Sequence, residues 1–200
     1  MPTLLTEANY PAVPLDPPRK RWTRAECREL QSSGVLAGQR LELVEGELVN
    51  RMGKNRPHVI VVGLVVAWLI EVFGKEYVHQ EAPIDVAPED NPTSEPEPDA
   101  IVLTRPSRTF STNPKPLDLR LIAEISDTTL GFDLNQKSKL YARAGVGDYW
   151  VFDLAARRLI VNRDPRNGKY QSMQSYSSSE SVAPLAAPVS PFAVGQVFST

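Results

Sequence analysis

The sequence predicts an α/β domain built on one central mixed β-sheet. Three observations lead there. The 200 residues are enough for one sizeable hydrophobic core and too few for two. Short apolar runs of strand length outnumber helical patterns. The helical patterns fall between the strands, as in a layered sheet-and-helix domain.

Residues 1–18 carry five prolines and no long apolar core, and read as a flexible arm ahead of a single domain over residues 19–176. Thr23-Arg24-Ala25-Glu26 has capping-box spacing and opens a short helix ending near Gly34. Residues 41–44 and 47–52 read as two strands joined by Glu45-Gly46, a hairpin-length link. Pro57 starts a helix that runs to about Phe73, with Gly74 as its stop. That helix is apolar nearly all round, so it should be covered on several sides. Residues 77–86 read as a strand, and 87–98 as an acidic, Pro-rich loop. Residues 99–103 and 120–125 are short apolar strands. Asp133 is placed to cap a helix over residues 134–144, closed by Gly145. Residues 149–153, 158–163 and 169–176 are the last strands, with a turn at 164–168. The tail, residues 177–200, is Ser-, Ala- and Pro-rich, and Val194, Val197 and Phe198 near its end would dock back.

Composition narrows the function classes. The net charge of −2 argues against a protein that coats nucleic acid by charge alone, though it leaves room for a local basic groove. Cys27 is the sole cysteine, which excludes an internal disulfide and a cysteine-based zinc site and suits a reducing, cytoplasmic setting. The most apolar stretch, residues 59–70, falls short of the roughly 20 residues of a membrane span, so no membrane partner is expected.

Three residues stand where chemistry is needed to explain them. On a helix at about 100° per residue, Leu134, Leu140, Tyr141 and Ala144 share an apolar face, with Lys137 near its middle and Lys139 nearly opposite. A lysine aimed into a core either meets a carboxylate or snorkels its charge out past the helix. Glu124 lies inside Leu121-Ile122-Ala123-Glu124-Ile125, a strand expected to be covered on both faces. It is anomalous in the same way, and a purely structural ion pair with Lys137 would also account for it. Asp99 opens the apolar run 100–103, where a strand-start turn is the bland alternative. Together, two carboxylates on adjacent strands would chelate a hard divalent cation, magnesium or manganese. A neighbouring lysine would orient a water or stabilise a developing phosphate charge.

These residues also sit in recognisable runs. They are Pro98-Asp99, Ile122-Ala123-Glu124-Ile125-Ser126, the stretch from Asp133 through Lys137 and Tyr141 to Val146, and Tyr149-Trp150. Upstream lie Leu43-Val44-Glu45-Gly46-Glu47, His58 at a helix start, and the run from Ser94 to Asp99. The set resembles the Uma-type restriction endonuclease family of the PD-(D/E)XK nuclease superfamily, from about residue 21 to residue 170. The resemblance implies a restriction-endonuclease-like fold, a central mixed sheet flanked by helices, with a magnesium-type site. By motif position it makes Asp99 and Glu124 metal ligands and Lys137 the catalytic lysine. The superfamily usually places that lysine two residues after the second acid. Ser126 stands there in this chain, so the function has moved to the helix, a relocation the family shares. Glu47 would complete the acidic metal cluster, and His58 would contact the reacting water or the substrate.

The expected activity is metal-dependent hydrolysis of DNA phosphodiester bonds, by a chain that could form a homodimer through the apolar helix. The alternative is a non-catalytic DNA-binding or assembly module on the same fold.

Overall fold

In the computed structural model, residues 19–51 and 55–198 are described. The expected arm, residues 1–18, and Met52 at the end of the expected second strand lie outside them.

The chain begins with helix α1 (Arg24–Ser32), where Thr23 accepts from the Glu26 amide and Glu26 returns the bond to the Thr23 backbone, the capping box the sequence spells. The hairpin β1 (Leu41–Val44) and β2 (Glu47–Asn50) follows as a two-stranded sheet of its own. Both turn residues have positive φ, 49° at Glu45 and 79° at Gly46. That pairing suits the twist of a two-residue hairpin, and glycine adopts it without strain. Helix α2 (Arg56–Phe73) is capped by Asn55 and stopped at Gly74.

The central sheet has six strands in the order β3 (Val78–His79), β4 (Ala100–Leu103), β5 (Leu119–Ser126), β6 (Asp148–Asp153), β7 (Arg158–Arg166) and β8 (Lys169–Ser177). Only β5 and β6 run parallel. A parallel neighbour needs a crossover, and helix α3, residues 130–143, supplies it. Its three consecutive segments are a first turn (Leu130–Phe132), a π-helical turn (Asp133–Lys137) and a closing α-helical stretch (Ser138–Arg143). Two short strands, β9 (Ser181–Val182) and β10 (Phe192–Ala193), pair with each other in the tail.

Side-chain alternation along β5 divides the core into two layers. Leu121, Ala123 and Ile125 face α2, meeting Val61, Val62, Val65, Val66 and Leu69, together with Phe192, Val194, Val197 and Phe198 from the tail. Ile122 faces the other way, with Tyr149 and Val151, against Leu140 and Tyr141 of α3. Glu124 falls on this second side.

Apart from shifts at element ends, such as β7 running to Arg166 through the expected turn at 164–168, the structure departs from the sequence reading as follows. Of residues 77–86 only Val78–His79 is strand; beyond it Glu81 takes φ 49° and Pro83 cannot donate to a ladder. Ile84 and Val86 are buried nonetheless, with the Ile84 amide bonded to the Pro96 carbonyl. Asp133 lies inside α3 rather than capping it. And α2, expected to be covered on several sides, leaves Val59, Ile60 and Leu64 exposed. Its length and hydropathy match those of a membrane-crossing helix, but its inner face is built into the core beneath the sheet.

Candidate active site

The antiparallel register of β4 against β5 pairs Ala100 with Ala123, so one step further Asp99 stands opposite Glu124. The Asp99 amide approaches Glu124 Oε2 at 3.4 Å, and the Ile125 amide donates to Asp99 Oδ2 at 2.7 Å. The two expected ligands therefore sit side by side at the edge of the α3 layer. On the other flank, His58 in the first turn of α2 places Nε2 3.4 Å from Asp99 Oδ2. Its Nδ1 is buried without a hydrogen-bond partner.

Lys137 points into this cluster, while Lys139 is exposed. Its Nζ lies 2.9 Å from Glu124 Oε1 and 3.0 Å from an oxygen of Glu42 on β1. Relative exposures of 4% for Glu124 and Lys137, 6% for Glu42 and 8% for Asp99 put all four charges out of water. Tyr141, one turn beyond Lys137, donates its hydroxyl to Glu124 Oε1 at 3.0 Å.

The π-helical turn is held by side-chain contacts at its first residue. Asp133 accepts from Ser126 Oγ at 2.5 Å and from Thr129 Oγ1 at 2.8 Å, while its carbonyl accepts from Tyr149 at 3.0 Å. The start of α3 is thereby pinned to Ser126 at the end of β5 and Tyr149 near the start of β6, and the π-helical turn lies at this anchor, ahead of Lys137. Ser126 is engaged in this anchoring.

Glu47 does not reach the cluster. It is exposed beside the hairpin turn, paired with Val44. Glu42, on the same face of the hairpin but at the sheet-proximal end, occupies the place instead, with its second carboxylate oxygen accepting from the Glu97 amide at 3.2 Å. Sequence reasoning missed Glu42 and Tyr141. The alternation Leu41-Glu42-Leu43-Val44 holds a weak signal for Glu42, whereas Tyr141 reads as one more apolar-face residue.

The electrostatics follow from burial. Glu124 is pushed up to about 8, mainly by desolvation and further by Asp133, Asp99 and Glu42, with Lys137 opposing. Burial raises Asp133 as well. Asp99 lies below its ordinary value, because the His58 and Ile125 contacts outweigh its desolvation. Burial alone would lower Lys137, but Glu124 and Glu42 override it and hold the amine above its usual range. Four carboxyl groups, Glu42, Asp99, Glu124 and Asp133, thus gather around one buried lysine, Lys137.

A cavity of about 130 Å³ opens onto these groups, lined also by Arg40, Arg51, Asn55, Asp127 and Phe132. Among the described residues no three His, Cys, Asp or Glu side chains form a ready-made metal cage. The adjacent carboxylates of Asp99 and Glu124, open to a polar cavity, fit a cation that takes one or two carboxylates and completes its shell with water and substrate oxygens, as magnesium does.

Residues 25–192 match the model of the family described as Uma2, putative restriction endonuclease. No curated protein matches the sequence. The crystal structure of a putative nuclease belonging to DUF820, from Anabaena variabilis, superposes with a TM-score of 0.63 at 15% identity, covering 80% of this chain and 89% of that one. At that identity the likeness establishes the common restriction-endonuclease-like fold.

Proposed function

This chain belongs to the Uma2 family, and from that premise we propose that it is a magnesium- or manganese-dependent endonuclease hydrolysing DNA phosphodiester bonds. The carrying observation is a buried lysine, Lys137, held between Glu124 and Glu42 directly beside the Asp99–Glu124 pair. Asp99 and Glu124 would hold the cation, which when bound neutralises phosphate oxygens and acidifies the attacking water.

The remaining work falls to the chain's own groups. Lys137, fixed from two sides, presents its positive charge to the phosphate as negative charge builds up during attack. A dry, preorganised site makes that charge more effective than it would be in water. Glu42 positions Lys137, and Tyr141 holds the Glu124 carboxylate in one orientation. His58 steadies Asp99 from the open side of the cavity.

The test is cleavage of plasmid, single-stranded and branched DNA with magnesium or manganese. Wild type should cut at least one form, Lys137→Ala and Asp99→Ala should not, and Lys139→Ala should match wild type. A folded wild type that binds DNA but cuts none of these forms would leave the non-catalytic module as the better description. Persistent cleavage in both variants would place the active site elsewhere.

A further inference from the structure

The outer face of α2 has a composition that its own fold does not use. At 100° per residue, Arg56, Val59, Ile60, Gly63, Leu64, Ala67 and Glu71 fall within one stripe, opposite the buried Val61, Val62, Val65, Val66 and Leu69. Val59, Ile60 and Leu64 are 49%, 41% and 40% exposed. The other exposed large apolar residues, such as Val35, Leu117 and Met173, lie on separate elements. Beside Ile60 the apolar surface continues into a cleft of about 310 Å³ that includes Pro57, Leu154, Val197 and Phe198.

The pattern is self-complementary. Arg56 and Glu71 close the two ends of the stripe, and among the described residues neither has an ion-pair partner. Their midpoint falls between Gly63 and Leu64, at the centre of the apolar run. A second α2 laid antiparallel about a two-fold axis at that point sets Arg56 against the partner's Glu71 at both ends. It also sets Ile60 against Ala67, and Gly63 against Leu64. The 60–63–67 spacing is that of a helix-packing seam, with space about Gly63 for a close crossing. A two-fold interface brings the same patch from each subunit together, so matching ends of opposite charge are the signature it requires.

We propose that this stripe is the surface through which two copies of the chain associate, α2 against α2. The inference stands independently of the nuclease reading, since the stripe faces away from the Glu124 layer.

Light scattering and sedimentation on the full chain test it. Wild type should reach twice the monomer mass as concentration rises. Leu64→Asp should be monomeric with an unchanged circular dichroism spectrum, because an exposed position tolerates the charge in the monomer. Arg56→Glu creates two like-charge contacts per dimer and should weaken association roughly tenfold, as should Glu71→Arg. Combining the two reversals should restore it. Leu64→Cys should cross-link to a dimer on oxidation. A wild type that stays monomeric at every attainable concentration overturns the proposal, as does a dimer indifferent to Leu64→Asp. So does a double reversal that fails to recover although its fold is intact. Binding of wild type, but not Leu64→Asp, to phosphatidylcholine–phosphatidylglycerol vesicles in place of self-association would assign the stripe to a lipid surface and overturn it too.

Discussion

Replacing Lys137 with methionine keeps most of the side-chain volume and removes only the charge. The structure sets the consequence. Nζ lies 2.9 Å from Glu124 and 3.0 Å from Glu42, so its loss leaves two buried carboxylates facing each other without a cation. Removing one partner of a buried pair costs about 3–5 kcal/mol. In a domain whose total stability is about 5–15 kcal/mol the fold should survive. At about 2–4 °C per kcal/mol for this size, the melting temperature should fall by roughly 6–20 °C. Glu124 keeps its proton up to about pH 8, and loss of Lys137 extends that range upward, so the deficit should be smaller at pH 6 than at pH 9. The second readout is manganese affinity by calorimetry. Losing a neighbouring positive charge should strengthen binding at the Asp99–Glu124 pair, even as DNA cleavage disappears. Tighter metal binding with no turnover separates a lysine acting on the reacting phosphate from one that merely holds the site together. A Lys137→Met variant that melts with Lys139→Met, or binds manganese more weakly than wild type, would overturn this role for Lys137.

Other consequences can be checked together. The Glu124 carboxyl, raised from 4.5 to about 8, binds its proton more tightly when folded than when unfolded. Wild-type stability should therefore be full below pH 4.5 as far as this group is concerned, and be lost progressively up to about pH 8, by at most roughly 5 kcal/mol. Melting curves with and without magnesium should diverge in that window, with the cation removing most of the fall, and Glu124→Gln should flatten the slope. Glu47→Ala should leave cleavage and melting within about 0.5 kcal/mol of wild type, whereas Glu42→Ala should impair both by freeing Lys137 on one side; the reverse ranking would restore Glu47 to the site. Ser126→Ala removes one of the two hydroxyls holding Asp133 and should cost about 1–3 kcal/mol in thermal denaturation, lowering kcat more than it raises KM because Lys137 loses its fixed position. An unchanged kcat would break the link between that anchor and Lys137.

Much of the molecule could be read from local pattern. The capping box at Thr23 and Glu26, the Glu45-Gly46 turn and the Gly74 stop are decided within a few residues of chain. The inward phase of Lys137 against the outward phase of Lys139 follows from helical periodicity and survives the π-helical turn, because both residues lie at or beyond its end. Glu124 was visible as a charge in an apolar strand, which is unusual enough to need a partner. Asp99 was visible as the acid at the mouth of the next one.

What local pattern could not decide depends on contacts distant in sequence. Glu42 and Glu47 share a face of one hairpin, and which of them enters the site is set by how the hairpin docks, with Leu43 bridged to Glu95 and Glu42 beside the Glu97 amide. Asp133 has the form of a helix cap, yet Ser126 and Thr129 bind it first and draw it into the helix. The open stripe on α2 is hard to find in sequence because the helix is apolar nearly all round, and Arg56 and Glu71 mark an open side only once the covered side is known. That depends on where the sheet and the returning tail end. Periodicity and turn chemistry act over one or two turns of chain, and so most of the elements and the inward-facing charges are legible locally. Which of those charges meet is set by the folded chain, because a buried charge is tolerated only where a partner from elsewhere in the chain arrives to compensate it.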